Sequence, residues 1–146
     1  MISRTAEYAI RALVALKQLP DGALAGVGAL SRITGAPANY LSKIMHMMGR
    51  AGVVASVRGP GGGFRLARPA QRVTAFEIVR LFDDLEAERR CFLGNKVCSD
   101  ACACAAHQMW SEVWEHYVQF LRSMTLERLS PPVAQVRRRA RTPHSA

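Results

Sequence analysis

All four cysteines of the chain lie in one short segment that also contains a histidine. Cys91, Cys98 and Cys104 are followed by His107 with the spacing C-x6-C-x5-C-x2-H, and Cys102 stands just before Cys104. Thiolates and imidazole are the usual protein ligands of zinc, and thiolates hold iron–sulfur clusters. The segment therefore predicts a metal centre or a redox-active group of thiols.

Three kinds of cysteine chemistry are compatible with this spacing. Zinc sites usually bring their ligands in close pairs such as C-x2-C, and that pairing is missing here. Three well-separated cysteines with His107 as a fourth ligand suit an iron–sulfur cluster at least as well. A dithiol switch between Cys102 or Cys104 and another cysteine, without any metal, is the third interpretation.

A second chemical signal is the glycine-rich string SVRGPGGGFRLA at residues 56–67. Its glycines, which include Gly61 and Gly62, allow close approach of the backbone to a ligand, and Arg58 and Arg65 flank them. An arginine at such a place suits the negative potential of a narrow DNA minor groove. A nucleotide-phosphate loop is disfavoured because neither GK[ST] nor a Rossmann-type GxGxxG follows.

The elements before this string predict a helix-turn-helix. Apolar residues at three- and four-residue intervals indicate helices at residues 5–19, 27–34 and 37–50, with Gly35 in the tight turn between the last two. In the second helix we expect Leu30 and Ile33 to face inward. The third helix has an apolar stripe, and its solvent face carries polar groups that can reach bases and phosphates. The stripe is Tyr40, Leu41, Ile44, Met45 and Met48; the polar face is Asn39, Ser42, Lys43 and His46.

The elements after it predict a β wing and a long terminal helix. Residues 53–57 and 64–66 favour two strands joined by the glycines. Thr74 and Glu77 form a capping-box pattern that opens a helix to about residue 82. The longest helical pattern covers residues 105–129, with Trp110 and Trp114 expected to pack rather than to contact a cofactor.

Composition limits the class of protein. The chain has 146 residues, a net charge of +9 and a pI near 10.3, which favours a polyanionic partner such as nucleic acid. Part of that charge lies in the string RRRAR at residues 137–141. No apolar run is long enough to span a membrane and no signal peptide is convincing, so a cytoplasmic location is expected. There, clustered cysteines are more often metal ligands or redox groups than structural disulfides.

These patterns predict a mainly α protein with a small β wing. We expect a winged helix-turn-helix DNA-binding domain at residues 1–84 and a linker with the cysteine loop at 85–106. A long C-terminal dimerisation helix is expected at 107–129 and a disordered basic tail at 130–146.

The sequence resembles the Rrf2 family of bacterial transcription regulators. The resemblance covers about residues 1–129 and lies in four strings: EYAIRAL, NYLSKI, SVRGPGGGFRLA, and the cysteine loop running into AAHQMW. It implies a homodimer that recognises a pseudo-palindromic double-stranded DNA operator. The DNA contacts that it implies are Asn39, Ser42 and Lys43 on the third helix and Arg58 in the wing; Tyr40, Gly61, Gly62 and Arg65 complete the candidate set.

The resemblance also implies a cofactor, a [2Fe–2S] or [4Fe–4S] cluster. Cys91, Cys98 and Cys104 match the three cysteine ligands of the iron–sulfur members, and His107 matches the histidine ligand of the cluster-assembly regulator. In nitric-oxide-sensing relatives an acidic residue on the first helix of the other subunit is the fourth ligand, and Glu7 stands at that position. The first interval, x6 instead of x5, and the extra Cys102, a further possible ligand, depart from the pattern.

The resulting hypothesis is a dimeric DNA-binding transcriptional regulator of the Rrf2 type whose operator binding is switched by an iron–sulfur cluster held in the cysteine loop. Two alternatives use the same scaffold: a metal-free repressor that senses thiol oxidation, and a zinc-stabilised protein that binds DNA constitutively. An enzyme is disfavoured because the sequence has no substrate-pocket signature and the wing points to DNA.

Overall fold

The computed structural model describes residues 2–85, 91–94, 101 and 103–129. Within these ranges the chain is mainly helical, with one two-stranded antiparallel sheet, which confirms the expected class. No helix in the described part has the length and apolar composition needed to cross a bilayer. The expectations about Cys98, Cys102 and the tail at 130–146 lie outside the described residues.

The first helix, α1, spans Arg4–Lys17 and lies at the centre of the fold. It begins where the side chain of Ser3 accepts a hydrogen bond from the amide of Ala6 at 3.2 Å, as an N-cap serine does. The amide of Ser3 donates to the Asp83 carboxylate at 2.8 Å. One face of α1 is buried against helices and strands on several sides, and its buried residues are Ala6, Tyr8, Ala9, Ala12, Leu13, Ala15 and Leu16.

The predicted helix-turn-helix is confirmed. Helix α2 spans Val27–Thr34 and helix α3 spans Ala38–Arg50, with Pro37 at the position just before α3. Gly35 ends α2 with a φ of 75°, a left-handed conformation that costs glycine little because it has no Cβ. The turn therefore depends on this glycine.

Side chains of α2 hold the turn in place, and they also explain one wrong expectation. Ser31 donates to the carbonyl of Ala36 at 2.6 Å, and Thr34 donates to the carbonyl of Leu30 at 2.8 Å. Leu30 and Thr34 are buried, whereas Ile33 is 64% exposed rather than inward-facing. Since Thr34 satisfies its hydroxyl locally, it occupies the buried position next to the turn.

The wing consists of strands β1, Val54–Val57, and β2, Gly63–Leu66, paired antiparallel. Its predicted strands are confirmed to within a residue. Phe64 also exchanges two backbone hydrogen bonds with Ala25, at 2.9 and 3.0 Å, so the wing is fastened to the segment that leads into α2.

Helix α4, Ala75–Val79, follows a 3₁₀ turn at Ala70–Arg72 and is shorter than expected. The predicted cap is half formed. Thr74 accepts a hydrogen bond from the amide of Glu77 at 3.2 Å, but the Glu77 carboxylate forms an ion pair with Arg68 instead of reaching back to the cap. Glu77 therefore joins α4 to the residue two positions after β2.

The expectation of a single long helix at 107–129 is wrong in one respect, because this segment forms two helices. Helix α5 spans His107–Ser123, Met124 is extended with a ψ of 101°, and helix α6 spans Leu126–Leu129. The Met124 carbonyl accepts from the amide of Ala75 at 2.7 Å, and the amide of Leu126 donates to the Val73 carbonyl at 2.7 Å. Pairing with the strand-like segment before α4 thus replaces helical hydrogen bonds here.

Two buried clusters form the core. The larger one lies beneath the helix-turn-helix and contains residues from both ends of the described chain, including Leu13, Leu41 and Leu126. The smaller one joins α1, α4 and α5 around Ala6, Val79, Leu85 and Leu121, with Trp114 and Tyr117 packed against it. The C-terminal half of α5 and all of α6 therefore belong to the same packed body as the helix-turn-helix.

Candidate nucleic-acid interface and cysteine site

One ridge of α3 is polar and open to solvent. Asn39, Lys43 and His46 are exposed and Ser42 is half-buried, while the opposite face is buried. Residues at this spacing follow one side of a helix, so the four side chains form a continuous row. Amide, hydroxyl and ammonium groups in such a row match base edges and phosphates of the major groove.

Tyr40 departs from the expected buried stripe, because it is 41% exposed. Its hydroxyl lies 2.5 Å from that of Thr5 on α1, and its ring meets the ring of Tyr8 edge-on with centroids 6.4 Å apart. The Tyr8 hydroxyl in turn accepts a hydrogen bond from Arg4 at 3.0 Å. The first turns of α1 therefore hold the start of α3, the predicted recognition helix.

The tip of the wing presents two arginines around a tight glycine turn. Arg58 and Arg65 are both exposed. Gly61 has a φ of 72°, and a Cβ on Gly62 would lie 2.2 Å from the carbonyl oxygen of Val57. The backbone of the wing tip is thus folded onto itself in a way that only glycine permits at Gly62.

The wing and the recognition helix are fixed relative to each other. The buried ring of Phe64 in β2 packs edge-on against His46 of α3, with centroids 6.1 Å apart. At Gly63 a Cβ would approach the carbonyl oxygen of Ala25 to 2.6 Å, so this close backbone contact also needs glycine. The polar row of α3 and the arginines of the wing consequently belong to one rigid surface.

The structure brings two of the predicted ligands together. The sulfurs of Cys91 and Cys104 are 3.6 Å apart, in a hydrogen-bond contact and not in a disulfide. Cys91 is 6% exposed and Cys104 is half-buried. The amide of His107 donates to the carbonyl of Cys104 at 2.9 Å, and His107, 8% exposed, is the first residue of α5.

A polar cavity of about 610 Å³ adjoins this pair on the side of α5. Cys104 and His107 line it together with Ser111, Glu112 and Glu115. The hydroxyl oxygen of Ser111 is buried and has no hydrogen-bond partner in the structure as described. Because this oxygen has almost no accessible surface, a molecule in the cavity cannot reach it.

The thiol pair fits a metal centre in one respect. Two ligands at about 2.3 Å from one tetrahedral metal ion lie about 3.8 Å apart, close to the observed separation. Within the described ranges no third Cys, His, Asp or Glu completes a ligating group, and Cys98 lies outside those ranges. The donor chemistry and the pair distance thus suit iron or zinc.

Glu7, the alternative fourth ligand, is engaged on its own helix. Its carboxylate forms an ion pair with Arg11 one turn later. Arg11 also donates to the carbonyl of Thr34 at 3.4 Å, which links this pair to the end of α2. Glu7 would have to leave Arg11 to bind a metal in another subunit.

An apolar face of α5 is exposed beside the cysteine pair. Met109 is 74% and Val113 is 57% exposed, and with Phe92 they line a shallow apolar cavity of about 210 Å³. Phe120 extends this face toward the end of the helix. Several large apolar side chains exposed on one helix mark an interaction surface.

Sequence reasoning missed the polar contacts that connect these parts. Neither the bond between Thr5 and Tyr40 nor that between Ser3 and Asp83 was expected, and no local periodicity signals them. The strings EYAIRAL and NYLSKI were noted because they resemble the Rrf2 family. This resemblance was the only sequence signal that drew attention to residues of α1 and α3.

Comparison with known proteins agrees with this architecture. A family model described as Rrf2, iron-dependent transcriptional regulator, matches residues 2–132. A protein of Aquifex aeolicus (strain VF5), named as an HTH-type transcriptional regulator, is 33% identical over 131 residues, which cover 88% of this chain and 90% of that protein.

Two solved structures show the same fold. CymR (YrzC), the global cysteine regulator of B. subtilis, superposes with a TM-score of 0.74 at 22% identity, covering 89% of this chain and 95% of that one. IscR of T. potens superposes with a TM-score of 0.70 at 21% identity, covering 99% and 93%.

Proposed function

The chain belongs to the Rrf2 family of transcriptional regulators, and on that premise we propose that its operator binding is switched by an iron–sulfur cluster in the cysteine segment. Members of this family are DNA-binding regulators rather than enzymes, and they are typically dimeric. The observation that carries the proposal is the contact between the sulfurs of Cys91 and Cys104. Cys104 lies three residues before the first residue of α5.

The polar row of α3 and the wing are proposed to bind one operator half-site. Asn39, Ser42 and Lys43 lie toward the N-terminal part of α3, from which recognition helices read bases. Tyr40 stands beside them at the surface. In the wing, Arg58 and Arg65 supply charge for the minor groove and phosphates, while Gly61 and Gly62 let the backbone come close.

The exposed apolar face of α5 is proposed to form the homodimer. Met109, Val113 and Phe120 lie along one side of the helix, and Phe92 extends that side toward the cysteine pair. A partner helix packed there would remove this apolar surface from water. The two recognition helices would then read half-sites about 34 Å apart or at a multiple of that spacing.

Cys91, Cys98, Cys104 and His107 are proposed as the ligands of the cluster. His107 is preferred to Glu7 because it follows Cys104 within one turn on the same chain, whereas Glu7 is paired with Arg11. We prefer a [2Fe–2S] cluster, in which each iron would take two protein ligands, to a [4Fe–4S] cluster, in which each iron would take one. The close sulfurs of Cys91 and Cys104 would suit two thiolates on one iron.

The chain offers a short path from this site to the DNA-binding surface. When bound, the cluster would supply a redox-sensitive link between residue 91 and the start of α5. The other end of α5 shares a buried cluster with α1, which contains both Leu121 and Ala6. The Thr5–Tyr40 contact then joins α1 to the recognition helix. A coupling of about 1–3 kcal/mol between the sites would change operator affinity about 5- to 150-fold.

The distance between the two sulfurs also supports a second candidate, a regulator that binds zinc at this site. A tetrahedral zinc site has about the same sulfur separation. The ligand spacing, which lacks a close pair such as C-x2-C, argues against it. Metal analysis separates the two possibilities directly.

The experiment is to purify the full chain without oxygen and to measure iron, acid-labile sulfide and zinc together with the visible absorbance. Equal iron and sulfide with thiolate-to-iron absorption supports the cluster, and operator binding is then compared before and after its removal. Cys98→Ala should lose the iron, while the matched Cys102→Ala should keep it. Iron-free wild type that contains stoichiometric zinc would refute the proposal.

A further inference from the structure

We propose that Cys91 and Cys104 are a peroxide-oxidisable pair, in which a hydroperoxide oxidises Cys104 and Cys91 closes the disulfide when no cluster is bound. The inference deepens the proposed function, because the same two thiols are proposed as cluster ligands. It adds a second chemical state to the site, with a small hydroperoxide as the co-reactant.

The distance between the sulfurs supports this pairing. A disulfide has an S–S bond of about 2.05 Å, so the sulfurs, now 3.6 Å apart, need to approach by only about 1.6 Å. The two cysteines are thirteen positions apart, so only the fold places them in contact.

The two thiols differ in exposure, which sets their order of reaction. Cys104 lines the polar cavity of about 610 Å³, through which a small peroxide can reach its sulfur. Cys91 is 6% exposed and does not line that cavity. Oxidation of thiols follows accessibility, so Cys104 reacts first.

The chemistry balances in two steps. The thiolate of Cys104 attacks one oxygen of the hydroperoxide, whose O–O bond breaks. This gives the sulfenic acid of Cys104 and releases water from hydrogen peroxide, or an alcohol from an organic hydroperoxide, once the leaving oxygen has taken up a proton. The thiolate of Cys91 then attacks the sulfenic sulfur; an S–S bond forms and water leaves.

The disulfide and the cluster are mutually exclusive because both need the same two sulfurs. Thiolates bind metals, and disulfide sulfurs do not replace them as ligands. The oxidised protein should therefore take up no cluster until a dithiol reduces it.

The test uses the full chain, freed of metal by a chelator without oxygen and then treated with stoichiometric hydrogen peroxide. Peptide mass mapping should show the loss of two hydrogens with Cys91 joined to Cys104. The Cys98→Ser/Cys102→Ser double variant should form the same disulfide at a similar rate. A disulfide through Cys98 or Cys102, or none at all, would overturn the proposal.

Single variants test the order of the two thiols. Cys91→Ser should stop after the gain of one oxygen at Cys104, a sulfenic acid that a 1,3-diketone traps. Cys104→Ser should leave Cys91 reduced under the same conditions. Circular dichroism confirms that each variant is folded.

The same samples distinguish a failure of this inference from a failure of the proposed function. Reduced protein is reconstituted with iron and sulfide, and its cluster content is measured independently of the disulfide. A disulfide without any cluster uptake would refute the cluster proposal and leave the peroxide pair intact. Cluster uptake that proceeds equally in peroxide-treated protein would refute the peroxide pair alone.

Discussion

The carboxylate of Asp83 accepts a hydrogen bond at 2.8 Å from the backbone amide of Ser3, eighty positions earlier in the chain. Asp83 is 8% exposed and lies in the turn after α4, not far before Cys91. Ser3 is the N-cap of α1, whose first turns contact the recognition helix through Thr5. One hydrogen bond thus joins the residues before the cysteine segment to the helix that supports the proposed DNA-binding surface.

Asp83→Ala is expected to lower the free energy of unfolding by about 1–3 kcal/mol, because the amide of Ser3 loses its buried acceptor. Asp83→Asn keeps an acceptor oxygen and should lose less. Urea denaturation measures both. Asp21→Ala, at an exposed position, is the control and should change stability by no more than about 0.5 kcal/mol. Equal losses for Asp83→Ala and Asp21→Ala would contradict this role.

Tyr40→Phe is expected to weaken operator binding about fivefold, about 1 kcal/mol, because the start of α3 loses its hydroxyl link to α1. Thr5→Val removes the same link from the other side and should have the same effect. The double variant should be no weaker than either single one, since both remove one interaction. Fluorescence anisotropy at constant salt is the measurement, and additive losses would show that Tyr40 acts through a separate contact.

Gly62→Ala is expected to weaken operator binding about tenfold, about 1.4 kcal/mol. The added Cβ would lie 2.2 Å from the Val57 carbonyl oxygen, so the wing tip must rearrange. Gly49→Ala in α3 is the matched control: its Cβ would meet nothing closer than 3.9 Å, and a helical Gly→Ala change stabilises by up to about 1 kcal/mol. Wild-type affinity in Gly62→Ala would exclude the wing tip from the interface.

Leu126→Ala is expected to cost about 2–5 kcal/mol of stability, because a fully buried side chain of the main core is truncated. The control is Ile33→Ala, which removes a side chain that is 64% exposed. Thermal unfolding followed by circular dichroism distinguishes them. Similar melting temperatures for the two variants would mean that α6 is dispensable to the core.

His107→Ala is expected to reduce iron content strongly, while Glu7→Gln leaves it near that of the wild type. His107 follows Cys104 at the start of α5, whereas Glu7 is already paired with Arg11. Iron and sulfide analysis after anaerobic reconstitution measures the difference. The reverse result would identify Glu7 of the partner subunit as the fourth ligand.

Local patterns were enough to predict most of the helices and the wing. Gly35 at the end of α2 and the Thr74 cap of α4 both lie within a few residues of the groups they bond, so short-range rules apply to them. Met124 could not be predicted in this way. The helix breaks there because a distant backbone segment competes for its hydrogen bonds, and no property of residues 107–129 reveals that competitor.

The candidate site was predictable in residue type but not in arrangement. The spacing of the cysteines indicated a metal or redox segment, yet it could not show that Cys91 and Cys104 are in contact. Tyr40 illustrates the same limit. Its place in an apolar stripe indicated burial, while the partner that keeps its hydroxyl at the surface, Thr5, lies thirty-five positions away.

The burial of Leu126 in the same cluster as Leu13 and Leu41 limits how early in synthesis the core can form. A nascent chain that has been synthesised only through the wing lacks part of its core, and contacts so distant in sequence form late. The cysteine segment lies in sequence between the two parts of that core, so it is translated before the core can be completed. Every molecule with a complete core therefore already contains its four cysteines.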